Sequence, residues 1–212
     1  MSMLNETPHI NDHKLVYHHQ IQGVFDRIAY SLVRFARVFA DLFFRERYGH
    51  RAVTLETVAA IPGMVGGLWQ HLKALRYIRD DHGWIKTLLD EAENERIHLM
   101  VYAHIAKPNL IERLLIVIVQ IIFYWFYFFI YLFSPRTAHR TVGYLEEEAI
   151  HSYTEYLAQV DANPRKNVPA PEIAIEYWKL NSDARLREVI IATREDEINH
   201  RDVNHTFADK LR

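Results

Sequence analysis

EAENERIH, running from Glu91 to His98, sets Glu95 and His98 three residues apart. On a helix that spacing projects both side chains from one face, where they can converge on a metal ion. The spacing returns near the far end of the sequence in REDEINH, Arg194 to His200, as Glu197 and His200. A lone Glu-x-x-His carries little weight, because 16 Glu and 13 His among 212 residues supply about one such pair by chance. Four occur: Glu6/His9, Glu95/His98, Glu148/His151 and Glu197/His200. Only the second and fourth alternate with an upstream lone carboxylate, which is Glu56 in one case and one of Glu146, Glu147 and Glu148 in the other. The anchors at 56, 95, 146 and 197 lie 39, 51 and 51 residues apart, room each time for helices and a connection, so the halves read as a degenerate repeat.

That order is the pattern of ferritin-like bundles, in which four helices supply the carboxylates and imidazoles for two iron or manganese ions. Composition agrees. Half the residues are hydrophobic while Gly and Pro number seven each, which favours long helices over a turn-rich β fold. A formal charge of −2 and a pI near 6.7 leave no basic footprint for nucleic acid. The absence of cysteine excludes disulfides and thiolate sites, leaving imidazole and carboxylate as ligands, a set suited to iron or manganese. The first twenty residues have neither the apolar core of a secretory signal nor the Arg/Ser bias of a transit peptide, and a bacterial source without a cleaved presequence is the simplest expectation.

Residues 1–22 read as a flexible arm whose histidines His9, His13, His18 and His19 are solvated, and 23–212 as one di-metal helical domain. From Val24 to Phe44, Phe25, Ile28, Leu32, Phe35, Phe39, Leu42 and Phe43 recur at helical spacing among Arg27, Arg34 and Arg37, with Arg45 and Arg47 just beyond. This suits either a helix packed on a core or one lying on an anionic membrane surface. Thr54 is expected to cap a helix through Glu56 to Tyr77, bent at Pro62-Gly63, with Gly66 and Gly67 allowing close approach. Glu56 lies among apolar neighbours, where a bare carboxylate is costly unless paired or metal-bound. The next helix runs from about Trp84 to Ala106, stopped by Pro108, with Leu88, Glu91, Glu95, His98 and Tyr102 on one side and Glu93 directed elsewhere as a surface charge.

Leu114 to Phe133, LLIVIVQIIFYWFYFFIYLF, holds twenty residues without a charge, the length of a membrane span. A single span would part Glu56 and Glu95 from Glu146 and Glu197, and the four carboxylates could not meet. The segment therefore either dips into one leaflet, as its Phe, Tyr and Trp suggest, or forms a buried core helix. Pro135 starts a helix to about Val160. On it Glu146 shares an apolar face with Ala149, Ile150, Tyr153 and Leu157, whereas Glu148 shares a polar one with His151, Ser152 and Glu155, so Glu146 is the inward candidate. Residues 161–171 form a loop, and two helices follow, from about Glu172 and from about Ala184 to Phe207. Asp196 is either a hydrogen-bond support for a ligand or a surface acid.

LETVAAIPGMVGG (Leu55–Gly67), LLDEAENERIHLM (Leu88–Met100), GYLEEEAIHSYTEYL (Gly143–Leu157) and REDEINHRDVNHTFAD (Arg194–Asp209) resemble the four metal-bearing segments of the alternative oxidases, membrane-bound ubiquinol oxidases of respiratory chains. The resemblance implies an all-α, ferritin-like four-helix bundle with two extra membrane-binding helices, attached monotopically to one leaflet. It implies a hydroxo- or oxo-bridged pair of irons on Glu56, Glu95, His98, Glu146, Glu197 and His200, and a quinol site around Arg51, Leu55, Leu145, Glu146, Ala149 and Ser152. It also implies a redox-active Tyr153, polar support from Asn94, Trp178 and Asp196, and a homodimer. The membrane would be a bacterial inner membrane, cytoplasmic face, or a mitochondrial inner membrane, matrix face. Plant members carry regulatory cysteines, and that control is expected to be absent here.

The reaction so implied reduces O2 to water with four electrons from two ubiquinols and pumps no protons. Tyr153 either donates an electron or is a packed core tyrosine. Rival readings are a di-iron quinone-ring hydroxylase of the demethoxyubiquinone type and a ferroxidase or iron-storage bundle. The uncharged aromatic stretch speaks against the latter.

Overall fold

The computed structural model describes residues 15–44 and 48–211; His9, His13, Arg45 and Arg47 fall outside them. Seven helices account for almost all of it: α1 Val24–Phe44, α2 Tyr48–Tyr77, α3 Trp84–Ala106, α4 Leu110–Phe133, α5 Pro135–Asp161, α6 Glu172–Trp178 and α7 Leu186–Lys210. Among the described residues there is no strand, only an isolated bridge between Pro169 and Arg185. The chain is all-α, as the composition implies.

Local chemistry sets most helix ends. α3 closes where Lys107 enters the left-handed region and returns its N–H to Ala103 O, with Pro108 barring further turns. Asn109 opens α4 through a reciprocal capping box with Glu112. Ser134 caps α5, accepting from Thr137 N, with Pro135 in the first turn. The start of α2 differs from expectation. It is already helical at Tyr48, the first described residue after 44, so Thr54 lies inside the helix and its hydroxyl donates to His50 O at 3.1 Å, bonding back down the helix instead of capping it.

α2 packs along α3 and α5 along α7, and these two pairs form the four-helix bundle. The α2–α3 contact is backbone-close at Gly63, where an added Cβ would stand 2.3 Å from Leu88 O and 2.9 Å from Ala92 Cβ. Gly66 and Gly67 are also tight, but against side chains of Leu88, Tyr131 and Leu89. Two further helices lie on the outside, α1 against α5 and α4 against α2.

α4 is no core helix. Of its residues only Tyr127 and Tyr131 are buried, while Ile118, Ile122, Trp125, Phe126, Phe129 and Phe133 are exposed. α1 inserts Ala29 and Val33 against Tyr144 and leaves Phe25, Ile28, Phe35 and Val38 outside. By length and composition α2 and α4 both qualify as candidate spans, and α2 is largely inside the bundle.

Of the two described N-terminal histidines, His18 is exposed and His19 differs from expectation. His18 pairs with Glu147, and His19 is buried, its ring stacked on His205 at 4.4 Å and its N–H bonded to Glu147 Oε1. Glu147, partly buried on α5 beside His205, offers the carboxylate that holds this strap, a partner 128 residues from His19 that local sequence does not disclose.

Candidate metal centre

The bundle interior receives one carboxylate or one Glu-x-x-His pair from each of its four helices. Glu56 comes from α2, Glu95 and His98 from α3, Glu146 from α5, and Glu197 and His200 from α7, and all six are buried. Two overlapping groups result, Glu56/Glu95/His98/Glu197 and Glu95/Glu146/Glu197/His200, each with one donor atom per residue lying within 4.8 Å of the others. Glu95 and Glu197 belong to both groups. His98 Nδ1 faces Glu56, Glu95 and Glu197 oxygens at 3.3, 3.4 and 3.5 Å, and His200 Nδ1 lies 2.6 Å from Glu95.

Short distances here are not hydrogen bonds. Glu56 Oε2, both Glu95 oxygens, Glu197 Oε2, His98 Nδ1 and His200 Nδ1 are buried without an aligned hydrogen-bond partner. Orphaned polar atoms of this kind are costly and rare, and here they all aim at one another. Cations between them satisfy the donor atoms and offset the carboxylate charge, so the residues fit metal ions.

Electrostatics point the same way. Burial, with repulsion from Glu95 and Glu197, holds Glu56 well above the usual carboxylate range; burial, then Glu197 and Glu95, does the same to Glu146. Burial also opposes charge on Glu95, but the His200 and His98 imidazoles outweigh it and hold that carboxyl well below the range. Without metal, the cluster keeps its charge down by protonating some carboxylates.

Asp196 joins a hydrogen-bond network at the edge of the cluster. Its Oδ2 accepts from Trp178 Nε1 at 2.8 Å and Asn94 Nδ2 at 2.9 Å and lies 3.1 Å from His98 Nε2. With this carboxylate on its far nitrogen, His98 keeps Nδ1 turned toward the carboxylates of the cluster, the orientation a metal ligand would need. Tyr153 is buried and donates its hydroxyl hydrogen to Glu56, and its ring stacks on Tyr102 at 5.4 Å.

A cavity of about 90 Å³ touches the centre at Glu56, Glu146 and Glu197 and extends between α1, α2 and α5. Arg51, Leu55, Leu145, Glu146 and Ala149 line it, with Val33, Ala36, Pro62 and Phe123 extending the apolar wall. Ser152 is buried but is not part of that lining. Arg37 and Glu148, also in the wall, are paired with each other, and Arg51 bonds Asp41 at 2.7 Å. Glu148 and His151 thus stay out of the centre, His151 turning to Glu155, and Glu93 pairs with Arg96 on the surface.

Sequence reasoning left Glu91 without a role. It is buried, and burial raises its carboxyl to about 7 against the opposing pull of His200 and Asn204. Asn204 Nδ2 donates to it at 3.0 Å, its Oδ1 accepts from His139 Nδ1 at 2.9 Å, and His139 Nε2 meets Tyr131 OH at 3.2 Å. The signal was in the sequence: Glu91 stands one turn before Glu95, and Asn204 one turn after His200.

The profile of the alternative oxidase family matches residues 7–209. A mitochondrial ubiquinol oxidase of Batrachochytrium dendrobatidis is 57% identical over 189 residues, covering 89% of this chain and 60% of the relative. Ubiquinol oxidase 2, mitochondrial, of Glycine max is 55% identical over 195 residues, covering 92% and 59%. Ubiquinol oxidase 1a, mitochondrial, of Arabidopsis thaliana is 57% identical over 192 residues, covering 91% and 54%. The chain thus spans about three fifths of the curated relatives' length. With four helices delivering two buried, overlapping carboxylate–imidazole groups, and a profile match across nearly its whole length, the chain belongs to the alternative oxidase family.

Proposed function

We propose that this chain is a ubiquinol:oxygen oxidoreductase, a terminal oxidase that reduces O2 to water at a di-iron centre. The observation that carries it is the pair of metal-ligating groups sharing Glu95 and Glu197, set at the end of an apolar cavity. Glu56, Glu95, His98 and Glu197 would hold one iron, and Glu95, Glu146, Glu197 and His200 the other. Iron held there would supply the redox couple through which two quinols give O2 its four electrons.

The protein's own groups supply the rest. Leu55, Leu145 and Ala149 grip the quinol ring through apolar contact, and Arg51 donates to a quinol oxygen. The walls keep bulk water from the carboxylates, which strengthens every charge interaction inside. Glu56 and Glu146 reach the cavity wall, so the quinol hydroxyls meet the carboxylate side of the centre as they give up their protons. Tyr153, bonded to Glu56, gives an electron and its phenolic proton when a single quinol leaves the reduction half complete.

The exposed apolar faces of α1 and α4 rest in one leaflet, so that quinol passes from the bilayer into the cavity beside α1. The relatives are named mitochondrial, which supports an inner-membrane setting; the matrix face, or the cytoplasmic face of a bacterial inner membrane, is part of the proposal. A homodimer completes the reading. Cyanide-insensitive oxygen uptake by purified, iron-analysed protein given a soluble ubiquinol analogue tests it. No uptake in an iron-replete sample overturns the function.

A further inference from the structure

A line of ring contacts leads from the metal centre to solvent. The Trp178 indole stacks on the His98 imidazole, with centroids 5.6 Å apart and planes 28° from parallel. The Tyr177 ring meets that indole edge-on at 5.4 Å and 81°. Tyr177 is 40% exposed, so the line ends in water. Hydrogen bonds fix both rings: Trp178 Nε1 donates to Asp196 Oδ2 at 2.8 Å, and Asn94 Nδ2 donates to the Tyr177 hydroxyl at 2.8 Å. The other ring pair at the centre, Tyr153 on Tyr102, stays in the core, both residues being buried and Tyr102 donating to Thr193 Oγ1.

Such geometry is more than packing requires. Electron transfer falls steeply with distance, so contacting rings are the short steps. The Asp196 carboxylate beside the indole favours positive charge on it. An exposed phenol can release its proton to water as it is oxidised, which the buried tyrosines cannot do.

We propose that His98, Trp178 and Tyr177 form an electron-supply line that draws oxidising equivalents out of the centre to a one-electron oxidation site at Tyr177. This rests on the redox reading of the centre given above. Trp178 passes one electron inward through its contact with His98, reducing the site by one equivalent. Tyr177 refills the indole and loses its phenolic proton to solvent. A solvent thiol then restores Tyr177 by giving back an electron and a proton, and two thiols end as one disulfide. The line spares the buried ligands and Tyr153 from oxidation when a second quinol is late.

The test uses the iron-loaded full chain with a nitrone spin trap and peptide mass spectrometry. One arm supplies O2 with substoichiometric ubiquinol analogue; the other supplies hydrogen peroxide to ferrous-loaded protein without quinol. Trap adduct is expected on Tyr177 in both arms, absent in Tyr177→Phe and several-fold weaker per iron in Trp178→Phe. Tyr177→Phe should keep the initial rate at saturating quinol yet inactivate after several-fold fewer turnovers when quinol is limiting. No Tyr177 adduct in the peroxide arm overturns the line, as does an adduct undiminished in Trp178→Phe, which marks radicals from solution. Tyr177 adduct with peroxide but no quinol-dependent oxygen uptake keeps the line and removes the oxidase reading.

Discussion

Glu95 is the residue on which the centre turns. It belongs to both ligand groups, touches both imidazoles, and is the one carboxylate they hold well below its ordinary range. On the proposed di-iron reading, removing it takes an oxygen donor from each metal at once. Glu95→Ala and, through loss of an imidazole, His200→Ala are therefore expected to abolish quinol oxidation together with bound iron, measured by oxygen uptake and metal analysis on one sample; a variant retaining full activity would remove the assignment. Tyr153→Phe is a subtler change, since it deletes a hydroxyl that donates to Glu56 and no donor to metal. Iron should stay near the native level while turnover is almost lost, and native turnover would reject a redox role. His139 gives a pH prediction away from the ligands. Unfolded histidine titrates near 6.5 and burial holds His139 down to about 4, so between these values the unfolded chain binds the extra proton. Stability should fall as pH drops through that window, by roughly 3 kcal/mol at most from this residue. Denaturant midpoints across the range check it, and His139→Gln should flatten the slope.

At the scale of helices, the α2–α3 pairing depends on the missing Cβ at Gly63, which would otherwise strike the backbone of α3 at Leu88. A carbonyl in a helix cannot swing aside as a side chain can. Gly63→Ala should cost about 2 kcal/mol or more despite the gain in helix propensity of about 1 kcal/mol. Gly67→Ala meets only the flexible end of Leu89 and should change stability by less than about 1 kcal/mol. Thermal melts of the two variants separate them, and equal melts would show that the contact is not rigid. Legibility in the sequence follows the same division between local and distant causes. Pro108 and Pro135 mark helix boundaries through backbone geometry alone, and Glu146 was separable from Glu148 because helical period sorts faces. Thr54 has the side chain of a cap but stands inside a helix already formed at Tyr48, so residue type alone misplaces the boundary. Links such as Arg140 to Asp26, Asp209 and His205 join residues far apart in the chain, and no local pattern encodes them. The role of Asp196 stayed open for the same reason, since its partners Asn94 and Trp178 arrive from two other helices.

Over the whole molecule, the charged and apolar parts are segregated. The bundle buries a highly polar centre, while α1 and α4 carry the exposed aromatic and aliphatic side chains on the outside. A soluble chain would be expected to cover so large an apolar face, and the cavity leading to the carboxylates has Val33 and Ala36 of α1 and Phe123 of α4 in its wall. On the proposed reading, a face resting in lipid and a cavity walled by the same two helices explain each other, because a quinol dissolved in the leaflet would never need to cross water. Ile122 and Phe126 lie one turn apart on the exposed side of α4, so glutamates there would stand where acyl chains should be, without touching the centre. Ile122→Glu/Phe126→Glu should sharply reduce flotation with lipid vesicles and cancel the blue shift that exposed Trp125 is expected to show on vesicle addition. Iron content and oxygen uptake with a water-soluble quinol analogue should persist, while oxidation of a long-tailed quinol held in vesicles should fall in step with binding. Native flotation and native use of the vesicle-borne quinol would place the membrane elsewhere on the molecule.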